Sequence, residues 1–157
     1  MITPIIGFEL SRFSEKLTIK KNFQQTLILD PLRRKYLVLT PEVMVRQLVI
    51  QGMLEKGYPM HRMACEKKFV MHGLSRRFDI LVLTPTLHPW MLVECKAADY
   101  ILSQQVFDQV LAYNYHFQVP YVLASNGRDT YCLAVNVEKT TFESLTEIPK
   151  YPSLFPS

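Results

Sequence analysis

Alternation and three-and-four spacing divide this chain into short extended runs and two amphipathic helices. Residues 26–30 and 36–39 read as brief β segments, after which Thr40-Pro41-Glu42 signals a helix start. The Thr40 hydroxyl can cap a free backbone N–H, Pro41 suits the first helical position, and Glu42 sits in the positive first turn. Val45, Leu48, Val49 and Met53 supply an apolar side, and Gly57 with Pro59 ends the helix near Lys56. Three strands follow, over residues 63–71, 76–84 and 90–97, the first two joined through His72-Gly73 as a hairpin, so the three form a meander. A second helix over residues 103–117 lines up Val106, Gln109, Val110, Tyr113 and Phe117 on one side. Pro120 then opens a strand over 121–125, which turns at Asn126-Gly127 into a last strand over 130–135.

Helix, three strands, helix, two strands is an α/β order, and it predicts a mixed central β-sheet flanked by helices. Residues 1–23 lack a clear period, and the tail holds Pro149, Pro152 and Pro156, so both ends read as peripheral to a core over about 26–136. With no repeat or linker, residues 1–157 are expected to form a single domain, and 48% hydrophobic residues suffice for one packed core.

Composition narrows the function only a little. A formal charge of +4 favours approach to polyanions without demanding it. The clusters Arg33-Arg34-Lys35, Lys67-Lys68 and Arg76-Arg77 read as solvated surface, with phosphate contact as the alternative. Cys65, Cys95 and Cys132 are odd in number and widely spaced, as expected of reduced cysteines in a cytoplasmic protein. The start carries no charged leader, and no apolar run is long enough for a bilayer, so no membrane association is expected. His61, His72, His88 and His116 show no ligand spacing, which argues against zinc.

The informative feature is charge within apolar strands. Asp79 precedes Ile80-Leu81-Val82-Leu83, while Glu94 and Lys96 close the run Met91-Leu92-Val93-Glu94-Cys95-Lys96. Alternate strand residues share a face, so Glu94 and Lys96 point together and Cys95 points into the opposite layer. If the two strands are neighbours, Asp79 and Glu94 meet, and two adjacent carboxylates repel unless a proton or a cation lies between them. Oxygen ligands, completed by the Cys95 carbonyl and water, suit Mg²⁺ or Mn²⁺. Asp79 pairing with Arg76 or Arg77 is the structural alternative, and Glu42 taken alone is an ordinary first-turn acid.

Asp79 followed by Glu94-Cys95-Lys96 resembles the D…(D/E)-x-K signature of the restriction-endonuclease-like nucleases. Gln109 and Tyr113 resemble the Q-x-x-x-Y helical motif of that superfamily's exonuclease and type I restriction branch, and Glu42 resembles its first-helix glutamate. Together with Leu39 to Gln47 and Ser125-Asn126-Gly127, the chain looks like the N-terminal nuclease domain of type I restriction enzyme R subunits over residues 30–135. Phe78 stands where the family often has proline.

That resemblance implies a metal-dependent nuclease hydrolysing DNA. Asp79, Glu94 and Lys96 would be catalytic, Gln109 and Tyr113 supporting, and Glu42 a further metal ligand, acting through water. No G-x-x-x-x-G-K-[ST] occurs, so a motor or specificity function is expected from a partner protein. A non-cleaving module that binds DNA or a partner on the same fold is the alternative.

Overall fold

The computed structural model describes residues 2–65 and 68–154. Thr40 caps as its chemistry suggests: its hydroxyl accepts from the Val43 amide at 3.2 Å, and helix α1 runs Pro41–Glu55. Gly57 follows at φ 87°, a left-handed conformation that side chains resist.

Strands β1 (Ile19–Lys21), β2 (Thr26–Asp30) and β3 (Lys35–Val38) form an antiparallel sheet ahead of α1. Beyond it come β4 (Met63–Cys65), β5 (Lys68–Met71), β6 (Leu74–Arg77), β7 (Ile80–Leu83) and β8 (Pro89–Cys95). Helix α2 (Gln104–Phe117) leads to β9 (Tyr121–Ser125), β10 (Thr130–Asn136) and β11 (Thr141–Leu145). Six of these strands form the central sheet in the order β11-β10-β9-β8-β7-β4, while β5 and β6 stand apart as a hairpin. Within the central sheet β8 and β9 run parallel, with α2 in the connection between them, and the remaining pairs are antiparallel. The expected mixed sheet between helices is therefore present.

The pleat sorts side chains into two layers. Ile80, Val82, Met91, Val93 and Cys95 join Val45, Val49 and Met53 of α1, whereas Leu81, Leu92, Val122 and Leu133 join Val106 and Val110 of α2.

Two predicted strands are broken. The run 63–71 divides into β4 and β5, with Glu66 and Lys67 outside the described residues, so that part of the Lys67-Lys68 cluster is left aside. The run 76–84 divides at Phe78-Asp79, because Phe78 packs edge-on to Phe117 of α2 and the Asp79 side chain accepts the Cys95 amide. The hairpin through His72-Gly73 forms as predicted, with Met71 opposite Leu74 and both loop residues at positive φ.

The ends differ more from expectation. Residues 1–23 read as peripheral, yet Phe8, Leu10 and Phe13 are buried in the layer that holds α1. A 3-10 helix over Leu10–Lys16 packs on α1, where Gly52 leaves room: a Cβ there would lie 2.7 Å from Phe8 and 2.8 Å from Leu10. At the other end Tyr58 donates to the Pro149 carbonyl and Tyr151 donates to the Leu83 carbonyl, each at 2.7 Å. Pro156 lies outside the described residues. Among the described residues no helix is long and apolar enough to cross a membrane.

Candidate active site

The register of β7 on β8 places Ile80 opposite Val93 and Leu81 opposite Leu92. One step further along, Asp79 faces Glu94. The alignment is fixed directly, since the Cys95 amide donates to Asp79 Oδ2 at 2.7 Å. Both acids are buried, at 8% exposure for Asp79 and 7% for Glu94. Lys96 leaves the sheet just past β8, its amide donating to the Ser125 carbonyl at 2.9 Å, and its Nζ lies 3.1 Å from Glu94 Oε1. Strand pairing and the two-residue period thus bring together the three residues that sequence placed at one sheet end.

Burial is the main force on these acids. It pushes the Glu94 carboxyl up to about 8, with the neighbouring Asp79 charge adding to the rise and Lys96 opposing it. Asp79 is raised too, chiefly by burial, against the Cys95 amide and the Arg46 cation; the charge of Glu42 acts upward. The two carboxyls therefore hold a proton between them near neutral pH in the metal-free protein. Burial would lower Lys96, yet the charge and hydrogen bond of Glu94, with Glu42 and Asp79, carry it above its ordinary value. Lys96 stays charged.

Glu42 stands exposed in the first turn of α1, within electrostatic reach of Asp79, Glu94 and Lys96. Among the described residues, no three His, Cys, Asp or Glu side chains form a ready metal-ligand cluster. The donors that fit a hard divalent cation are the Asp79 and Glu94 carboxylates, an all-oxygen pair whose mutual repulsion a cation would relieve. The Cys95 side chain is fully buried in the α1 layer, and its thiol is held well above its usual range by burial.

Gln109 and Tyr113 do not hydrogen-bond to the acids. Gln109 Nε2 donates to the Tyr113 hydroxyl at 3.1 Å, and the pair lines a recess with Met71, Arg76 and Ala112 between α2 and the β5–β6 hairpin. Tyr113 also meets Phe69 of β5 edge-on, with ring centroids 5.3 Å apart.

One member of the site escaped the sequence reading. Pairing of Asp79 with Arg76 or Arg77 was the structural alternative, but the cation beside Asp79 Oδ1 is Arg46 of α1, 4.0 Å away and 2% exposed. Its signal was available: Arg46 lies one helical turn after Glu42, beside the apolar Val45 and Val49. Asn126 stands in the turn after β9. Its side chain is occupied structurally, accepting from the Arg128 and Asp129 amides and donating to the Tyr100 carbonyl at 2.8 Å.

Against known proteins, the family model for the type I restriction enzyme R protein N terminus (HSDR_N) matches residues 41–149. No curated protein matches the chain. Among solved structures, a fragment of a protein assigned as the HsdR subunit of a type I restriction enzyme from Vibrio vulnificus YJ016 superposes with a TM-score of 0.53 at 19% identity. The superposition covers 71% of this chain and 24% of that one, so the chain spans about a quarter of that structure, and the likeness concerns the fold. The family match takes in most of the chain, including every candidate site residue, and the chain belongs to the type I restriction enzyme R protein N-terminal family.

Proposed function

We propose that this domain is a divalent-metal-dependent nuclease that hydrolyses DNA phosphodiester bonds. The observation that carries the reading is buried Asp79, held by the Cys95 amide within electrostatic reach of buried Glu94, with the Lys96 ammonium 3.1 Å from Glu94. Asp79 and Glu94 would hold Mg²⁺ or Mn²⁺, with the Cys95 carbonyl as a further donor and Glu42 acting through water. When bound, such an ion polarises a phosphoryl oxygen and makes a water more acidic.

The protein's own groups do the rest. The Cys95 amide orients Asp79, and the strand register fixes where Glu94 stands. Lys96, held 3.1 Å from Glu94, would orient the attacking water and offset the charge that builds on the phosphoryl oxygens. Gln109 and Tyr113, in their recess beside α2, support the substrate backbone. DNA as substrate, and a partner protein supplying motor or specificity functions, follow from the family.

Incubation of purified protein with plasmid and single-stranded DNA, with Mn²⁺ or Mg²⁺ and with chelator, tests this reading. Cleavage is expected to vanish with chelator and in both Asp79→Ala and Lys96→Ala. Cleavage that survives both substitutions overturns it. A second reading, a non-cleaving DNA- or partner-binding module, draws on the lack of a ready three-residue ligand cluster among the described residues. It predicts DNA binding with no cleavage under any metal.

A further inference from the structure

We infer that the β1–β3 sheet is a second nucleic-acid surface, one that takes single-stranded DNA independently of the carboxylate site. Charge is the first observation. Residues 16–38 carry Lys16, Lys20, Lys21, Arg33, Arg34 and Lys35 against a single acid, Asp30. That segment is thus +5 in a chain of +4, so the remaining residues sum to −1 and all of the chain's net positive charge comes from this one sheet and its ends. The sheet also lies wholly ahead of residues 41–149, which the family model matches.

Shape is the second observation. Register puts Lys20, Leu27 and Val38 in one row and Leu29 with Tyr36 in the next, all on the same face. The opposite face carries Ile28 and Asp30, both fully buried, so it is the inward one. The outward face is therefore an apolar and aromatic platform, with Tyr36 and Val38 exposed beside Lys20, while Lys21 and Lys35 fall on the other face by the same register and are exposed at its ends. Lys20 Nζ lies over the Tyr36 ring, 3.7 Å from its centre. Phe23, in the β1–β2 turn, is fully exposed, a costly placement for a phenyl ring with nothing to stack on.

Cations beside the bare Phe23 ring suit a strand whose phosphates pair with the cations and one of whose bases lies on that ring. Duplex DNA presents phosphates but keeps its base faces stacked, so it would leave Phe23 unused. Single-stranded DNA uses both.

The test measures anisotropy of a fluorescein-labelled oligothymidylate of about 20 nucleotides on the whole chain, with chelator present to prevent cleavage, between about 50 and 200 mM salt. The triple variant Lys20→Gln/Arg34→Gln/Lys35→Gln is expected to bind at least about tenfold more weakly at the lowest salt. Its plot of log affinity against log salt should be shallower by about 2, since three fewer phosphates are neutralised. Phe23→Ala should weaken binding about fivefold or more at an unchanged salt slope. The triple variant should keep the wild-type rise in melting temperature with Mn²⁺, which separates this surface from the nuclease reading.

Wild-type affinity and slope in the triple variant would overturn the proposal. So would a Phe23→Ala that binds normally, a matched duplex that binds more tightly than the single strand, or equal affinity for polyglutamate, which would mark a site for acidic protein. All four side chains are exposed, so each variant should melt with the wild type.

Discussion

Glu94 ends a strand that is otherwise apolar, and its proton follows from that burial. Its carboxyl ionises near 4.5 when free and near 8 in the fold, raised by desolvation and then by Asp79. A raised folded value means the fold binds the proton more tightly than the unfolded chain does, so stability from this group is complete below about 4.5 and is lost as pH climbs through about 8. In chelator, the melting temperature of the wild type should therefore fall between these values, and Glu94→Gln should flatten the decline. On the proposed metal-dependent reading Mn²⁺ would act oppositely. It would bind the ionised form, so its stabilising effect should grow with pH and be absent from Glu94→Gln. A Glu94→Gln protein that keeps the wild-type pH slope would detach the effect from this carboxyl. Arg46 gives the complementary expectation. Arg46→Met leaves Asp79 buried without its cation and should cost about 3 kcal/mol in a urea melt near neutral pH, less near pH 5 where the aspartate takes a proton more readily.

Among the elements, α1 depends on a residue whose intrinsic preference argues against it. Gly52 lies three residues from the helix end, where alanine would ordinarily gain about 1 kcal/mol. The Phe8 ring and Leu10 occupy the space its Cβ would need, and Leu10, at 1% exposure, is too tightly enclosed to retreat. Overpacking of this kind costs roughly 1–3 kcal/mol, so Gly52→Ala should lower the melting temperature despite its better helix propensity. That outcome marks the limit of what local pattern conveys. Both helices were legible because their signals are local: the Thr40 cap, the Pro41 start, and Val106, Val110 and Tyr113 at helical spacing. The approach of Asp79 to Glu94 was legible because neighbouring strands, with Ile80 opposite Val93, bring their ends together. The break at Phe78-Asp79 was not, since it is caused by the amide of Cys95, sixteen residues away. Arg46 was passed over for a similar reason: its partner lies outside the helix, between β6 and β7, and helix periodicity does not name partners.

At the scale of the molecule, the ends are what the sequence conveyed least. Aperiodic residues 1–23 read as peripheral because a 3-10 segment has no alternation to betray which side it buries, yet Leu10 and Phe13 are almost completely enclosed. Burying a large apolar side chain contributes about 1.5–3 kcal/mol, so Phe8, Leu10 and Phe13 together supply roughly 5–9 kcal/mol. A domain's net stability is about 5–15 kcal/mol, and this segment therefore accounts for a large part of what separates folded from unfolded chain. Removing it would also uncover the α1 surface around Gly52, and α1 carries Glu42 and Arg46 toward the acids. A chain lacking residues 2–17 should accordingly lose its cooperative thermal transition and its Mn²⁺-dependent stabilisation together, whereas Phe8→Ala alone should keep a cooperative but lower one. Circular dichroism melts with and without Mn²⁺ check both. A truncated chain that still melts cooperatively near the wild-type temperature would return the segment to the periphery where its pattern first placed it.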